Sequence, residues 1–427
     1  MPSVEFDLNR KELALWLFHE YEPDHGILNI PVALRFPHRL RWWPVHTALQ
    51  HLIGRHPALR TLFPNEDGTP GRQVLDPGDP RTAVKVEPIA VTAGSLDADL
   101  RAFAGRPFDL TTDLPVRAAH LTGEDVGDVL CLVLPHIVVD ARSTRVLADE
   151  LIELYGHLSA DRPIPDRLVG PVERFVEPPP AEESIRYWRE QLAGAADSGR
   201  PLDLARSDGP TDSFTGGHVR HPLSAGATRA LASISAELRV TENVVLLNAY
   251  HLLLARHGAG DDIVVGSPLD ARDAAAGNSI GYHVNIVGIR ARVDPASTFR
   301  RLVAAGRDVF LAALLHSGAS IDEIFPGAYD GADGRPLFRY MFNYLPPEVQ
   351  AGRDSFAQVP VHTGFSRLDL DLLVFAVRGG GAVLEARYND HAFRATDVRT
   401  LLDRFDALLV GLDGALDRPL RDLPADG

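Results

Sequence analysis

The stretch GDVLCLVLPHIVVDARSTRVLADELIELYG, residues 127–156, decides the reading of this chain. Its apolar run from Val129 to Leu134 has the length and aliphatic content of a fully buried strand. The run stops at Pro135, and a helical apolar period resumes near Ser143. His136 and Asp140 therefore fall on a strand-to-helix connection, where a rigid scaffold commonly exposes reactive side chains. An imidazole there can exchange protons near neutral pH, and a carboxylate four residues on can hold the loop or the ring in shape. A structural role for the pair stays open at this point.

Working outward, the alternation of helix and strand continues in both directions. Towards the N-terminus, an amphipathic stretch at Lys11–Glu20 precedes an extended segment at Asn29–Phe36 and a helical pattern at Val45–Ile53. RHPALRTLF, residues 55–63, closes that helix and leads into a strand. A helix is expected at Asp97–Phe103 and a strand at Val116–Leu121.

Towards the C-terminus, residues 157–217 change texture, becoming rich in Pro, Gly, Asp and Ser around one helix at Ile185–Leu192. Helices are then expected at Ala227–Ala236, Val244–Ala255, Thr298–Leu315 and Asp397–Leu409, with strands at Ile263–Val265, Val284–Val293 and Phe338–Tyr344. Gly379, Gly380 and Gly381 lie between two alternating segments and read as a hairpin turn, not a phosphate cradle. The expectation is an α/β protein of two lobes, 1–175 and 176–427, with the connector at roughly 157–217.

The 427-residue length suits two cores, and a 45% hydrophobic content is ordinary for a globular chain. No apolar run approaches the roughly twenty residues that span a bilayer, and the opening MPSVEFDLNRKEL lacks the apolar core of a secretion signal. A cytoplasmic protein with no membrane association is expected. The net charge of −15 argues against nucleic acid and anionic lipid as partners, because both bind through accumulated positive charge. The single cysteine, Cys131, sits inside the apolar run, which excludes an internal disulfide and speaks against a cysteine metal site. No nucleophile elbow, Walker loop or zinc-protease motif occurs, and no metal is expected.

Several segments resemble, in order, the motifs of nonribosomal peptide synthetase condensation domains. LPHIVVDARS is similar to the HHxxxDG core, with His136 at the second histidine and Asp140 at the aspartate. RHPALRTLF resembles RHxxLRTxF. IGYHVNIVGIR, residues 280–290, resembles IGxFVNTxxxR, and GRPLFRYMFNY, residues 334–344, resembles NPLFxxMFxY. LNRKELALWL, residues 8–17, stands where LSPAQRxLW is expected, and the ending DRPLRDLP also fits.

The resemblance implies two chloramphenicol acetyltransferase-like lobes forming a V-shaped pseudo-dimer with a central tunnel. It implies that an acyl- or peptidyl-carrier protein brings a thioester on its 4'-phosphopantetheine arm and that a small amine or alcohol attacks it, giving an amide or ester. No other cofactor is implied. His136 is the implied general base or orienting group. Asp140 is the implied structural partner of an arginine from the second lobe, Arg272 in SPLDARD. Ser143, His283 and Asn285 join Pro135, Ala141 and Arg142 as candidates lining the tunnel.

Departures from the pattern occur at the core motif and elsewhere. Pro135 replaces its first histidine, Ala141 its glycine, and Arg142 a hydrophobic residue. The Ala141 methyl is expected to restrict the backbone or narrow the tunnel. Asn9, Lys11 and Glu12 stand for Ser, Ala and Gln in the opening motif. His283 replaces an aromatic, reading as a surface or packing residue or as a second titratable group. Carrier proteins are commonly acidic, so RFPHRLRWW, residues 35–43, is a candidate docking face, with a lobe-edge strand and helix start as its alternative. A free-standing, monomeric condensation enzyme is expected. The alternative is a condensation-like domain that has lost catalysis and recruits a tailoring enzyme to a carrier-bound substrate.

Overall fold

The computed structural model describes residues 4–6, 8–23, 25–36, 38–195, 200–206, 214–273, 276–325, 338–346 and 356–424. The chain divides into two compact units, each with its own sheet and apolar core. The first comprises Met1–Glu177, Asp270–Val284 and Gln350–Gly364, and the second comprises Pro178–Leu269, Asn285–Val349 and Phe365–Gly427.

This division corrects the expected two-segment partition. The principal boundary falls two residues beyond 175, yet two later segments return to the first unit. Packing explains the return of the first of these: Ile280 and Tyr282 are buried in the first unit's core. The second adds a strand, Ala357–Val359, which pairs antiparallel with Asn29–Phe36 through Ala33, Leu34 and Arg35. Asn29–Phe36 is therefore an interior strand, not the lobe edge that the alternative reading of residues 35–43 supposed.

The first unit's five-stranded sheet runs Ala357–Val359, Asn29–Phe36, Gly127–Pro135, Arg117–Gly123, Val86–Ala90. Gly127–Pro135 is central, pairing antiparallel on both sides, and from Asp128 onwards it is buried throughout. That is why its sequence is continuously apolar and does not alternate. Its last residue, Pro135, stands opposite Asn29, so the ladder ends where proline has no N–H to donate.

The second unit holds a six-stranded mixed sheet in the order Val284–Arg292, Asp262–Asp270, Tyr340–Leu345, Leu370–Ala376, Ala382–Asn389, Gly216–Pro222. The helix Glu242–Leu254 is buried from Val244 onwards, consistent with its uniformly apolar sequence. Gly379, Gly380 and Gly381 turn the antiparallel hairpin 370–389, all three with positive φ, a conformation open to glycine at little cost. Residues 334–337 of the GRPLFRYMFNY segment lie outside the described residues. Among those described, no helix is long and apolar enough to cross a membrane.

Candidate active site

After Pro135 the chain makes one 3-10 turn, His136–Val138, before the helix Ala141–Ser159 begins. His136 is half-buried, and its Nδ1 lies 2.7 Å from the Val139 carbonyl oxygen. A carbonyl only accepts, so Nδ1 carries the proton and Nε2 is the lone-pair nitrogen of the neutral ring. The backbone of the turn thus selects the tautomer that a general base requires. Tyr282 meets the imidazole edge to face, with centroids 5.0 Å apart, and fixes the ring plane.

Asp140 is directed at backbone amides and at Arg272. It is the N-cap of Ala141–Ser159, accepting from the Ser143 amide at 2.8 Å on Oδ1. Arg272 Nη2 donates to the same oxygen at 2.9 Å, and the His283 amide donates to Oδ2 at 2.9 Å. Burial would raise this carboxyl, but the Arg272 guanidinium and the two amides hold it below the usual carboxylate range.

Arg272 is itself fully engaged. It donates to the Ser143 hydroxyl at 2.7 Å, to Asp270 at 2.8 Å and to the Ser279 carbonyl at 3.0 Å. Ser143 Oγ donates to the Gly281 carbonyl at 2.8 Å and accepts from its amide at 3.1 Å. This cluster binds Asp270–Val284 to the start of Ala141–Ser159. Arg272 accordingly lies in the first compact unit, correcting its expected origin in the second lobe, because its whole set of partners lies there.

Two of the motif departures, Ala141 and Arg142, are accommodated locally. Ala141 is the exposed first residue of the helix with no positive φ, so its methyl imposes no backbone strain. The Arg142 guanidinium is drawn onto Asp270 at 2.7 Å and the Gly277 carbonyl at 3.2 Å. Asn285 does not join this cluster: it is buried in the second unit and donates to the Ser317 carbonyl at 2.6 Å.

His283 is not a surface residue. It is buried, its ring edge-to-face with Phe175 at 5.3 Å. Burial, joined by the nearby charges of Arg272 and Lys11, pushes its pKa down to about 4, so it is neutral at physiological pH. Sequence reasoning missed Lys11 as a contributor, treating it only as erosion of a motif. The structure buries it, pairs it with Glu177, and brings its Nζ to 3.3 Å from the Val284 carbonyl and 5.8 Å from the Tyr282 ring centroid. The clue was rarity: lysine occurs only twice in the chain. In the segment 35–43, Trp42 and Trp43 are 52% and 61% exposed at the start of the helix Trp42–Arg55. Among the described residues, no group of three His, Cys, Asp or Glu is placed to hold a metal ion.

Comparison with known proteins bears on the family and the fold. CymA of Salinispora arenicola, whose name assigns it to the nonribosomal peptide synthetases, is 30% identical over 435 residues, covering 95% of this chain and 5% of that protein. Phosphinothricin tripeptide synthetase PhsB of Streptomyces viridochromogenes is 29% identical over 98% of this chain and 36% of its own length. Isonitrile lipopeptide synthase of Mycobacterium tuberculosis is 26% identical over 98% of this chain and 18% of its own. The chain thus spans a small part of the curated relatives it matches.

Among solved structures, the X-domain from teicoplanin biosynthesis superposes with a TM-score of 0.81 at 24% identity, covering 98% of this chain and 97% of that one. The first condensation domain of the calcium-dependent antibiotic synthetase, in complex with a substrate analogue, gives 0.80 at 17% identity, covering 99% and 100%. These two likenesses establish the fold. The sequence matches the family described as Condensation domain over residues 13–424, nearly its whole length, and the chain therefore belongs to the condensation-domain family of nonribosomal peptide synthesis.

Proposed function

We propose that this chain is a condensation enzyme, joining an acyl group carried as a pantetheine thioester to an amine or alcohol. The observation that carries the reading is the His136 turn, where Nδ1–H bonds to the Val139 carbonyl and makes Nε2 the basic nitrogen. The acceptor N–H or O–H gives its proton to Nε2 as its heteroatom bonds to the thioester carbonyl carbon. The carbon–sulfur bond then breaks, and the proton passes to the departing thiolate. General-base assistance of this kind supplies on the order of 10²–10⁴-fold. Asp140 and Arg272 hold the turn against Asp270–Val284 and take no proton in the reaction. An acidic carrier protein delivers the pantetheine arm, with Arg35–Trp43 as its candidate docking face.

A second reading is supported by one comparison. A structural neighbour at a TM-score of 0.78 is the teicoplanin X-domain solved in complex with OxyB, and a recruiting role suits a chain with Pro135 and Ala141 in its core motif. Mass spectrometry of reactions containing acyl-pantetheine thioesters and a panel of amines and alcohols separates the two. Condensed product above the no-protein background supports the enzyme; a folded, carrier-binding protein that forms none supports recruitment.

A further inference from the structure

Lys11 is buried in the first unit, only 5% exposed, although two effects oppose a cation there. Taking an ammonium out of water is costly. Lys11 is also the second residue of the helix Arg10–Tyr21, where the helix dipole disfavours positive charge. The helix gains nothing from the charge, so its place is accounted for by what the ammonium holds.

Nζ pairs with the Glu177 carboxylate and donates to the Val284 carbonyl at 3.3 Å. Glu177 and Val284 are the last residues of two of the segments that make up the first unit, so one ammonium ties together two points at which the chain leaves it. The same Nζ stands 5.8 Å from the centroid of the Tyr282 ring, within the reach of a cation–π attraction. Tyr282 in turn meets the His136 imidazole with the ring planes at 78°. Contacts therefore run from Lys11 through Tyr282 to His136, and the helix that carries Lys11 packs against the His136–Val138 turn. Ser143 and Asp140 already pin the backbone on either side of Tyr282, at Gly281 and His283. What is left for the Lys11 charge to fix is the aromatic ring. Alanine, the residue of the resembled motif at this position, could make none of these contacts.

We infer that Lys11 is a positioning residue for His136, holding the Tyr282 ring against the imidazole. Its consequence for catalysis rests on the reading of His136 as the base of a condensation; the contact itself is a property of the folded chain.

Nuclear magnetic resonance of the full chain, labelled with 13C-histidine, tests it. The His136 ring resonance, identified by its loss in His136→Ala, is compared in wild type, Tyr282→Leu and Lys11→Met, each checked by thermal melt. Tyr282→Leu removes the aromatic ring current and gives the shift of the imidazole without its neighbour. Lys11→Met keeps the length of the side chain and loses the charge, and is expected to move the resonance most of the way to that shift. Should Lys11→Met fail to fold because of the charge left on Glu177, Lys11→Met/Glu177→Gln takes its place. A resonance unmoved from wild type in the folded variant would overturn the inference. In product formation the variant is expected to lower kcat about tenfold with KM held within about twofold, because a misplaced group is felt in the transition state. An unchanged kcat in a variant whose resonance has moved would overturn it too. Wild type that forms no product sinks the condensation reading alone, and the histidine resonance still decides whether Lys11 positions the ring.

Discussion

Asp140 in the first unit is buried and Asp371 in the second is partly buried with its Oδ1 shielded from water, and their carboxyls move in opposite directions. Burial would raise each. At Asp140 a guanidinium and two backbone amides reverse that effect, and the group stays ionised below the usual range. At Asp371, on the strand Leu370–Ala376, burial wins and the pKa is pushed up to about 6. Arg387 stands opposite it across the ladder but donates to Glu385 at 3.0 Å, and Asp371 Oδ1 has no partner among the described residues. The carboxylate that caps the helix after the His136 turn shares an arginine with Asp270 and Ser143, whereas the one on the sheet strand has no such cation and tolerates a proton.

The largest expected effect comes from breaking the first arrangement. Arg272→Met leaves Asp140 ionised and buried without its cation, and should cost roughly 3–5 kcal/mol in chemical denaturation. Adding Asp140→Leu should recover part of that loss, since the double variant buries no unpaired charge. A folded Arg272→Met of wild-type stability would contradict the role given to the pair.

The second arrangement predicts a pH dependence of opposite sign. A carboxyl raised from about 3.8 to about 6 binds its proton more tightly in the folded state, so stability falls as pH rises between those values. The full loss is on the order of 3 kcal/mol. Asp371→Asn should flatten this arm of a stability-against-pH curve. Asp140, depressed, instead contributes stability that is present above its unfolded pKa and disappears as pH falls through the lower folded value. Arg142→Ala, removing a half-exposed bridge to Asp270, should change stability by no more than about 1 kcal/mol.

Much of this was legible in the chain. The strand Asn29–Phe36 falls where the extended segment was expected, and the central strand and the helix after it bracket His136 and Asp140 as the apolar pattern implied. Local periodicity carries such information because each element buries its own face. The Asp140–Arg272 pairing was implied by the family resemblance and is present, but the return of residues 270–284 to the first unit was not legible, because it depends on packing onto a helix more than a hundred positions earlier. The three-residue strand Ala357–Val359 is too short for a period to register. The burial of Lys11 was hidden for a related reason: its partners, Glu177 and the Val284 carbonyl, are supplied by segments remote in sequence.

The central claim is that Nε2 of His136 takes the acceptor proton. Its most direct test compares the rate of product formation by wild type and His136→Ala under identical conditions, after circular dichroism and thermal melts show both folded. A fall of about 10² or more in the variant is the predicted result. Equal rates would contradict the account and remove His136 from the chemistry.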